Sequence, residues 1–269
     1  MASQTPRIAV LIPAYNAEKV IGNTLSSLEK NKEPHDIIII DDGSSIPLES
    51  CVQPQDNLEI VRVPENSGVT KALNLGLTMI LEQGYDYLAR IDADDVASPD
   101  RLKMQLTFLD EHPEVGFVGS WGHFVSEEGK TVFHLHPPED HDFIVKKLYY
   151  NNCFLHPSLM IRTSLLRNLG GYNEKYPSAE DYDILRRLSI HSKGANLPDY
   201  LINYMVSPSG ISLSKRREQL FSRLKVQWSY RNWCSIHFYL GIAKTLCLGL
   251  MPYKTVTAIK KMRKEYQKR

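Results

Sequence analysis

Apolar runs that stop at polar or acidic residues recur along the first hundred positions. Ile8 to Ile12 is unbroken and ends at Pro13-Ala14-Tyr15-Asn16, which predicts a buried strand followed by a loop. Val20, Ile21, Leu25 and Leu28 then fall at helical spacing with polar residues between them. Ile37 to Ile40 predicts a second buried strand, ending at Asp41-Asp42-Gly43-Ser44-Ser45, and Leu58 to Val63 a third. Asn66-Ser67-Gly68 opens a helix whose first turns carry Lys71, Ala72 and Asn74. The stretch from Tyr87 predicts a fourth strand that delivers Asp92, Asp94 and Asp95 at its carboxyl end. Strand alternating with helix implies an α/β fold with a parallel, twisted sheet and right-handed crossovers.

The second part of the chain has a less regular pattern. Ser98 to Glu111 predicts a helix with Leu102, Leu106 and Leu109 on one face, Ser98-Pro99 reading as its cap and first-turn proline. Val115 to Ser120 predicts a strand, Phe124 to Phe133 a hairpin turning at Glu127-Glu128-Gly129-Lys130, and Pro137 to Tyr150 a mixed helix. His156-Pro157-Ser158-Leu159-Met160 enters another strand. Gly170-Gly171-Tyr172-Asn173 makes a turn, and Ser178 to Asp183 starts a helix continued by Ile184, Leu185 and Leu188. From Lys215 the pattern turns helical, with Leu220, Leu224, Trp228, Trp233, Phe238, Tyr239 and Leu240 among basic residues.

An apolar fraction of 42% over 269 residues suffices for a full core, so the chain is globular. Its net charge of +1 conceals an uneven distribution. Of the 32 Lys and Arg, 14 lie from Ser214 onward, against 2 of the 31 Asp and Glu. A neutral-looking protein therefore carries an acidic body and a basic extension. The four cysteines, Cys51, Cys153, Cys234 and Cys247, form no C-x-x-C pair, which argues against structural zinc and a disulfide framework. With no charged-then-apolar leader at Met1, a reducing, cytoplasmic location is the simpler expectation.

The clustered acids carry the chemistry. Carboxylates a few ångströms apart raise each other's pKa, and a hard divalent cation with oxygen ligands keeps them ionised. Asp95 reads equally well as a first-turn acid of the following helix. No G-x-G-x-x-G follows the first strand and no G-x-x-x-x-G-K-[ST] occurs, which argues against dinucleotide and P-loop chemistry. The strand ends instead offer Pro13, Tyr15 and Asn16, then Asp41 and Asp42, then Lys71, then the Asp92 cluster. Together these suit a nucleotide: an acid for a base edge, an aromatic for stacking, a lysine for phosphate. Taken singly, each has an ordinary alternative: an Asp-Gly turn, a solvated lysine, a core tyrosine.

V-L-I-P-A-Y-N, I-I-D-D-G-S-S, N-S-G-V-T-K-A-L-N and R-I-D-A-D-D together resemble glycosyltransferase family 2, inverting enzymes of the GT-A fold that use nucleotide-diphosphate sugars. The resemblance runs from about Ile8 to about Ser212. It implies that Asp42 meets the nucleobase, that Pro13, Ala14 and Tyr15 wall the nucleoside, and that Lys71 supports the nucleotide. Asn16, Asp41 and Ala93 fall beside these positions and join the candidate nucleotide-sugar set. Asp92 would lie against ribose or sugar, and Asp94 would bind the metal, Mn2+ or Mg2+. In the acid pair Glu180-Asp181, Asp181 corresponds to the catalytic base; a plain charge effect at a helix start is the alternative. His156 is either a satisfied structural histidine or a contact to sugar or diphosphate. Where the family often closes with Tyr-Arg-x-His, this chain has Tyr204-Met205-Val206-Ser207, a departure that puts the corresponding metal ligand in doubt.

The resemblance implies a catalytic domain over 1–213, with a Rossmann-like nucleotide-sugar half to about 97 and a mixed-sheet acceptor half after it. Residues 214–269 form a helical basic extension. Arg231 to Tyr253 is apolar enough to test as a membrane span, but His237, Lys244, two glycines and Pro252 weigh against one. Aromatic residues within a basic segment fit a helix lying on an anionic membrane surface, with packing against the domain as the alternative. Nucleic acid is not expected, since no binding module accompanies the charge. A lipid-linked saccharide or glycan acceptor at the inner face of the cell membrane would account for the tail. Two rival readings are a sugar nucleotidyltransferase, which would want a glycine-rich basic loop near the start, and a nucleotide-sugar-binding scaffold without turnover.

Overall fold

The computed structural model describes residues 6–206 and 216–251. Among the described residues one mixed sheet of nine strands has the order β3-β2-β1-β4-β8-β6-β9-β5, with β7 paired to β6 alone. The first four strands are β1 (Ile8–Ala14), β2 (Asp36–Asp41), β3 (Leu58–Arg62) and β4 (Tyr87–Arg90). They are mutually parallel, so their carboxyl ends share one edge. α1 (Ile21–Leu28) and α2 (Val69–Glu82) make the crossovers between them. Every residue of β1 is buried because both of its faces are covered: Ile8, Val10 and Ile12 pack in one apolar layer, Ala9 and Leu11 in the other. That is why the sequence shows an unbroken apolar run rather than alternation.

Beyond β4 the sheet becomes mixed. β5 is Val96–Ala97, β6 Val115–Val125, β7 Thr131–Leu135, β8 Met160–Arg162 and β9 Lys193–Met205. β8 runs antiparallel between β4 and β6, and β6 and β9 run parallel through several register shifts. The helices here are α3 (Arg101–Glu111), α4 (His141–Leu148), α5 (Thr163–Leu169) and α6 (Glu180–His191). α1 and α3 contribute to one apolar layer, α2, α4, α5 and α6 to the other.

Several local expectations change. The hairpin expected over Phe124–Phe133 forms, with Phe124 opposite Phe133 and a turn closed from Ser126 N to Lys130 O, but its first arm and the strand expected at Val115–Ser120 are one continuous 11-residue strand. Gly122 breaks the apolar pattern because a side chain there would meet Leu155 Cδ2 at 2.4 Å. α3 starts at Arg101, not Ser98. The backbone of Ser98 is occupied by Leu201 O (2.9 Å) and Asn31 Nδ2 (3.2 Å), which extends the pairing of β5 with β9, and no side chain caps the helix. α4 is shorter than the expected 137–150: the carbonyls of Pro137 and Pro138 are taken by Trp121 Nε1 and Asn196 Nδ2, holding that stretch extended. β9 is 13 residues long although Gly194, Pro198 and Asp199 interrupt its sequence pattern.

The basic extension forms α7 (Arg216–Ser229) and α8 (Ile236–Leu250). Val226 of α7 is fully buried in the second apolar layer, and Gln227 Nε2 donates to Tyr149 O at 2.8 Å. Phe221, Trp228, Trp233, Ile236, Tyr239, Leu240, Leu246 and Leu250 remain exposed. Among the described residues no helix is long and apolar enough to cross a membrane. The Ser207 departure and the tail beyond Met251 lie outside the described residues.

Candidate active site

β4 ends at Arg90, and the chain then turns through Asp92, Asp94 and Asp95, which each place a carboxylate oxygen within 4.8 Å of the others. Thr24 Oγ1 of α1 fixes this turn by donating toward the carbonyls of Ala93 and Asp95, both at 2.8 Å. Asp95 is fully buried; its Oδ1 accepts from Met205 N at 2.9 Å, whereas Oδ2 has no partner. Burial first, then the charges of Asp92 and Asp94, push the Asp95 carboxyl well above the usual range. Asp94 is raised in the same direction, by burial and then by Asp92.

A counter-charge comes from within the same stretch. The buried Arg90 guanidinium donates to Asp92 Oδ1. Burial opposes its charge, but Asp92, Tyr172 and Asp95 outweigh that effect and keep it protonated. Arg101, also fully buried, lies behind it and donates to Arg90 O at 2.7 Å; burial, then Arg90, pulls its pKa down to about 9. The sequence reading attributed relief of the acid cluster to a metal alone and overlooked this arginine.

The ends of β1 and β2 form the adjoining wall. Pro13 and Ala14 are buried and Tyr15 is 51% exposed. Asn16 adopts φ +51° and ties two loops together: its N–H donates to Ser44 Oγ and its Oδ1 accepts from Ser45 N, both at 2.8 Å. Asp41 is turned inward, accepting from Ser44 N (2.9 Å), Leu48 N (3.2 Å) and Arg62 Nη1 (3.2 Å). Burial would raise its pKa, but these bonds and Arg62 bring it down overall. Asp42 accepts from Ser67 N and Oγ (2.9 and 2.8 Å) and from Gly68 N (2.8 Å), so it holds the start of α2, where Lys71 stands exposed on the first turn. Asp41 is thus occupied by its own loop, whereas Asp42 joins the β2 end to the helix that carries Lys71.

The acid pair opens α6 within electrostatic reach of Arg90. Asp181 Oδ2 accepts from Asn152 Nδ2 at 2.6 Å, and Oδ1 from Tyr182 N at 2.6 Å. Asn152 Oδ1 accepts from Phe154 N at 2.9 Å, which fixes the amide with its nitrogen toward Asp181. Burial raises the Asp181 carboxyl despite these bonds and despite Arg90 and Arg223. Glu180 is pushed up to about 7, by burial and then by Asp181. Tyr172 feels acids of both groups, Glu180, Asp181 and Asp92, and its OH lies 3.0 Å from His156 Nε2. Burial, then Arg90, drops the His156 pKa well below its ordinary value, so the ring is neutral and bonded. Tyr172 is held from α2: Asn74 Nδ2 donates to its carbonyl (2.9 Å) and Asn74 Oδ1 accepts from its N–H (2.7 Å).

A cavity of about 230 Å³ opens beside Asp181, lined by Asn151, Asn152, Ser178, Tyr182, Gln219 and Arg223 among others. A larger one of about 650 Å³ lies around Arg7, Glu29 and His35, where β1 and β2 begin. That is the opposite end from the strand termini at which open α/β sheets bind ligands.

The model of the family described as Glycosyl transferase family 2 matches residues 9–170. The chain belongs to this family. Its fold is the GT-A arrangement and its activity is glycosyl transfer. Among relatives, the E. coli UDP-Gal:alpha-D-GlcNAc-diphosphoundecaprenol beta-1,3-galactosyltransferase is 26% identical over 276 residues, covering 94% of each chain. Two solved structures share the fold. One is TarS 1-349 of S. aureus in complex with UDP-GlcNAc, at TM-score 0.69 and 21% identity, spanning 89% of this chain and 71% of that one. The other is the mannosyltransferase PcManGT of Pyrobaculum calidifontis with GDP-Man and Mn2+, at TM-score 0.66 and 20% identity, spanning 90% and 69%.

Sequence reasoning missed Arg90, Tyr172 with its Asn74 clamp, Asn152 and Arg223. Arg90 carried a signal, a charged residue closing an otherwise apolar strand and followed by Ile91. The Asn74–Tyr172 contact joins positions 98 residues apart and leaves no local trace.

Proposed function

We propose that this transferase moves a sugar with inversion from a nucleotide diphosphate, a UDP-sugar, to a hydroxyl of a lipid-linked saccharide, in surface-polysaccharide assembly at the inner face of the cell membrane. The carrying observation is the pairing of two separate acid groups, Asp92/Asp94/Asp95 and Glu180/Asp181, across the buried Arg90 and Tyr172. In-line displacement needs a base on one side of the anomeric carbon and charge compensation on the other. Asp181 stands as the base. Its carboxylate takes the acceptor hydroxyl proton as the new C–O bond forms, and the old bond's electron pair leaves with the nucleoside diphosphate. Asn152 and the Tyr182 N–H orient that carboxylate.

On the donor side, Pro13, Ala14 and Tyr15 wall the nucleoside, with Asn16 and Asp41 setting the loops. Asp42 faces the base edge, Lys71 the phosphates, and Asp92 with Ala93 the sugar side. The all-oxygen donor set, with its unpartnered Asp95 Oδ2, fits Mn2+ or Mg2+. Asp94 would hold the ion, with Asp92 and Asp95 beside it; when bound, it offsets charge on the leaving diphosphate. The uridine donor and lipid-linked acceptor are supported by those named for the E. coli relative, and Mn2+ by its presence in the PcManGT complex. The exposed aromatic face of α7 and α8 supports attachment to an anionic membrane.

The test is release of nucleoside diphosphate from a panel of nucleotide sugars with manganese, comparing wild type with Asp94→Ala and Asp181→Asn. Metal-dependent turnover of a uridine donor, lost in Asp94→Ala, is expected. No turnover together with no metal-dependent donor binding by calorimetry would favour a scaffold that does not turn over.

A further inference from the structure

α7 does more than cover the domain. Gln219, Ser222, Arg223, Val226 and Gln227 recur at intervals of three and four and form the stripe turned toward α6 and the segment before Asn152. Val226, Gln227 and Ser222 are buried by that contact. Just past the helix, Tyr230 OH donates to Asp183 Oδ1 of α6 at 2.8 Å, locking the two elements together. Arg223 is therefore held in position by its neighbours on the helix. Its guanidinium makes no hydrogen bond and no direct ion pair among the described residues, although Asp181 and Tyr182 lie within electrostatic reach. Arg223 stands partly buried in the wall of an open polar cavity, where its planar guanidinium is available to an anion that enters.

We infer that this cavity is the acceptor subsite, and that Arg223 from the C-terminal extension binds a phosphate ester adjoining the acceptor sugar. The inference rests on Asp181 being the base. The walls fit such a ligand. Gln219 and Asn151 add neutral donors to the same lining, and Asp181, also in it, would accept from a sugar hydroxyl but repel a phosphate. At about 230 Å³ the space falls below the roughly 300–1,000 Å³ of pockets for drug-sized ligands, so it takes one sugar ring with its charged substituent and not an oligosaccharide. The extension then supplies part of the reaction site, and removing it would remove acceptor recognition as well as surface binding.

The experiment uses the full chain and two acceptor probes, an N-acetylglucosamine diphosphoryl alkyl ester and the neutral alkyl glycoside of the same sugar. Arg223→Gln is expected to reduce the ratio of kcat/KM for the charged over the neutral probe by at least about tenfold, with Arg223→Lys in between. An unchanged ratio would overturn the inference. Calorimetry with the charged ester alone, without donor, separates the two readings. Binding that weakens in Arg223→Gln, in a protein that turns over no donor, would support the subsite and sink the transferase mechanism. Binding indifferent to Arg223 would overturn the subsite whatever the turnover.

Discussion

Glu180 offers a quantitative check on the electrostatics of the acid pair. Its pKa stands at about 7 in the folded protein against an ordinary 4.5, chiefly because burial penalises the carboxylate and secondly because Asp181 is adjacent. In the unfolded chain neither effect operates. Between those two values the folded state binds more protons than the unfolded state, so stability falls as pH rises through this window and stays reduced above it. A displacement of this size corresponds to about 3 kcal/mol at full ionisation, and to about 2–3 kcal/mol once coupling to Asp181 is allowed for. Glu180→Gln keeps the shape and removes the charge. Urea unfolding of wild type and variant should give nearly equal stabilities at about pH 4.5, with the variant more stable by about 2–3 kcal/mol at about pH 8. A difference that is the same at both pH values, or a variant that is less stable at the higher pH, would refute the assignment of a buried, destabilising carboxylate to this position.

Arg90→Met should cost roughly 3–5 kcal/mol in thermal or urea unfolding, because it leaves Asp92 and Asp95 without their internal counter-charge. Gly171→Ala would place a methyl 2.3 Å from Asn74 Oδ1, so it should destabilise the protein by about 1–3 kcal/mol. That cost should be non-additive with Asn74→Ala in a double-mutant cycle, since both break the clamp on Tyr172. Phe221→Ser with Leu250→Ser should lower co-sedimentation with anionic vesicles while changing the unfolding free energy by no more than about 0.5 kcal/mol, as both side chains are more than half exposed.

The parallel strands and their acids were legible because burial on both faces of a sheet leaves continuous apolar runs, as at Ile8–Ile12 and Ile37–Ile40. The Asp92 cluster was legible for the complementary reason, that three acids at a strand end have few structural explanations. What was hidden depends on contacts between distant segments. β6 looked like two elements because Gly119 and Gly122 interrupt its pattern, and Gly122 is there for the approach of Leu155 rather than for a turn. β9 was obscured by Pro198 and Asp199, which fall among its register shifts against β6. Asp41 and Asp42 look equivalent in sequence, yet one is turned into its own loop and the other onto the next helix. Arg223 could have been found from the spacing of Gln219, Ser222, Arg223, Val226 and Gln227, a stripe too polar to register as a core face.

α7 is amphipathic in an unusual sense, with a wall of the cavity beside Asp181 on one side and exposed Phe221 and Trp228 on the other. An α-helix with its side chains is about 10–12 Å across. If the aromatic side rests among lipid headgroups, Asp181, the proposed base, stands about one helix diameter above the bilayer. A saccharide tethered to a lipid by a diphosphate could then span that height with its tail still embedded. The thickness of a single helix would act as a ruler, admitting the first sugars of a tethered chain and passing over hydroxyls farther from the membrane.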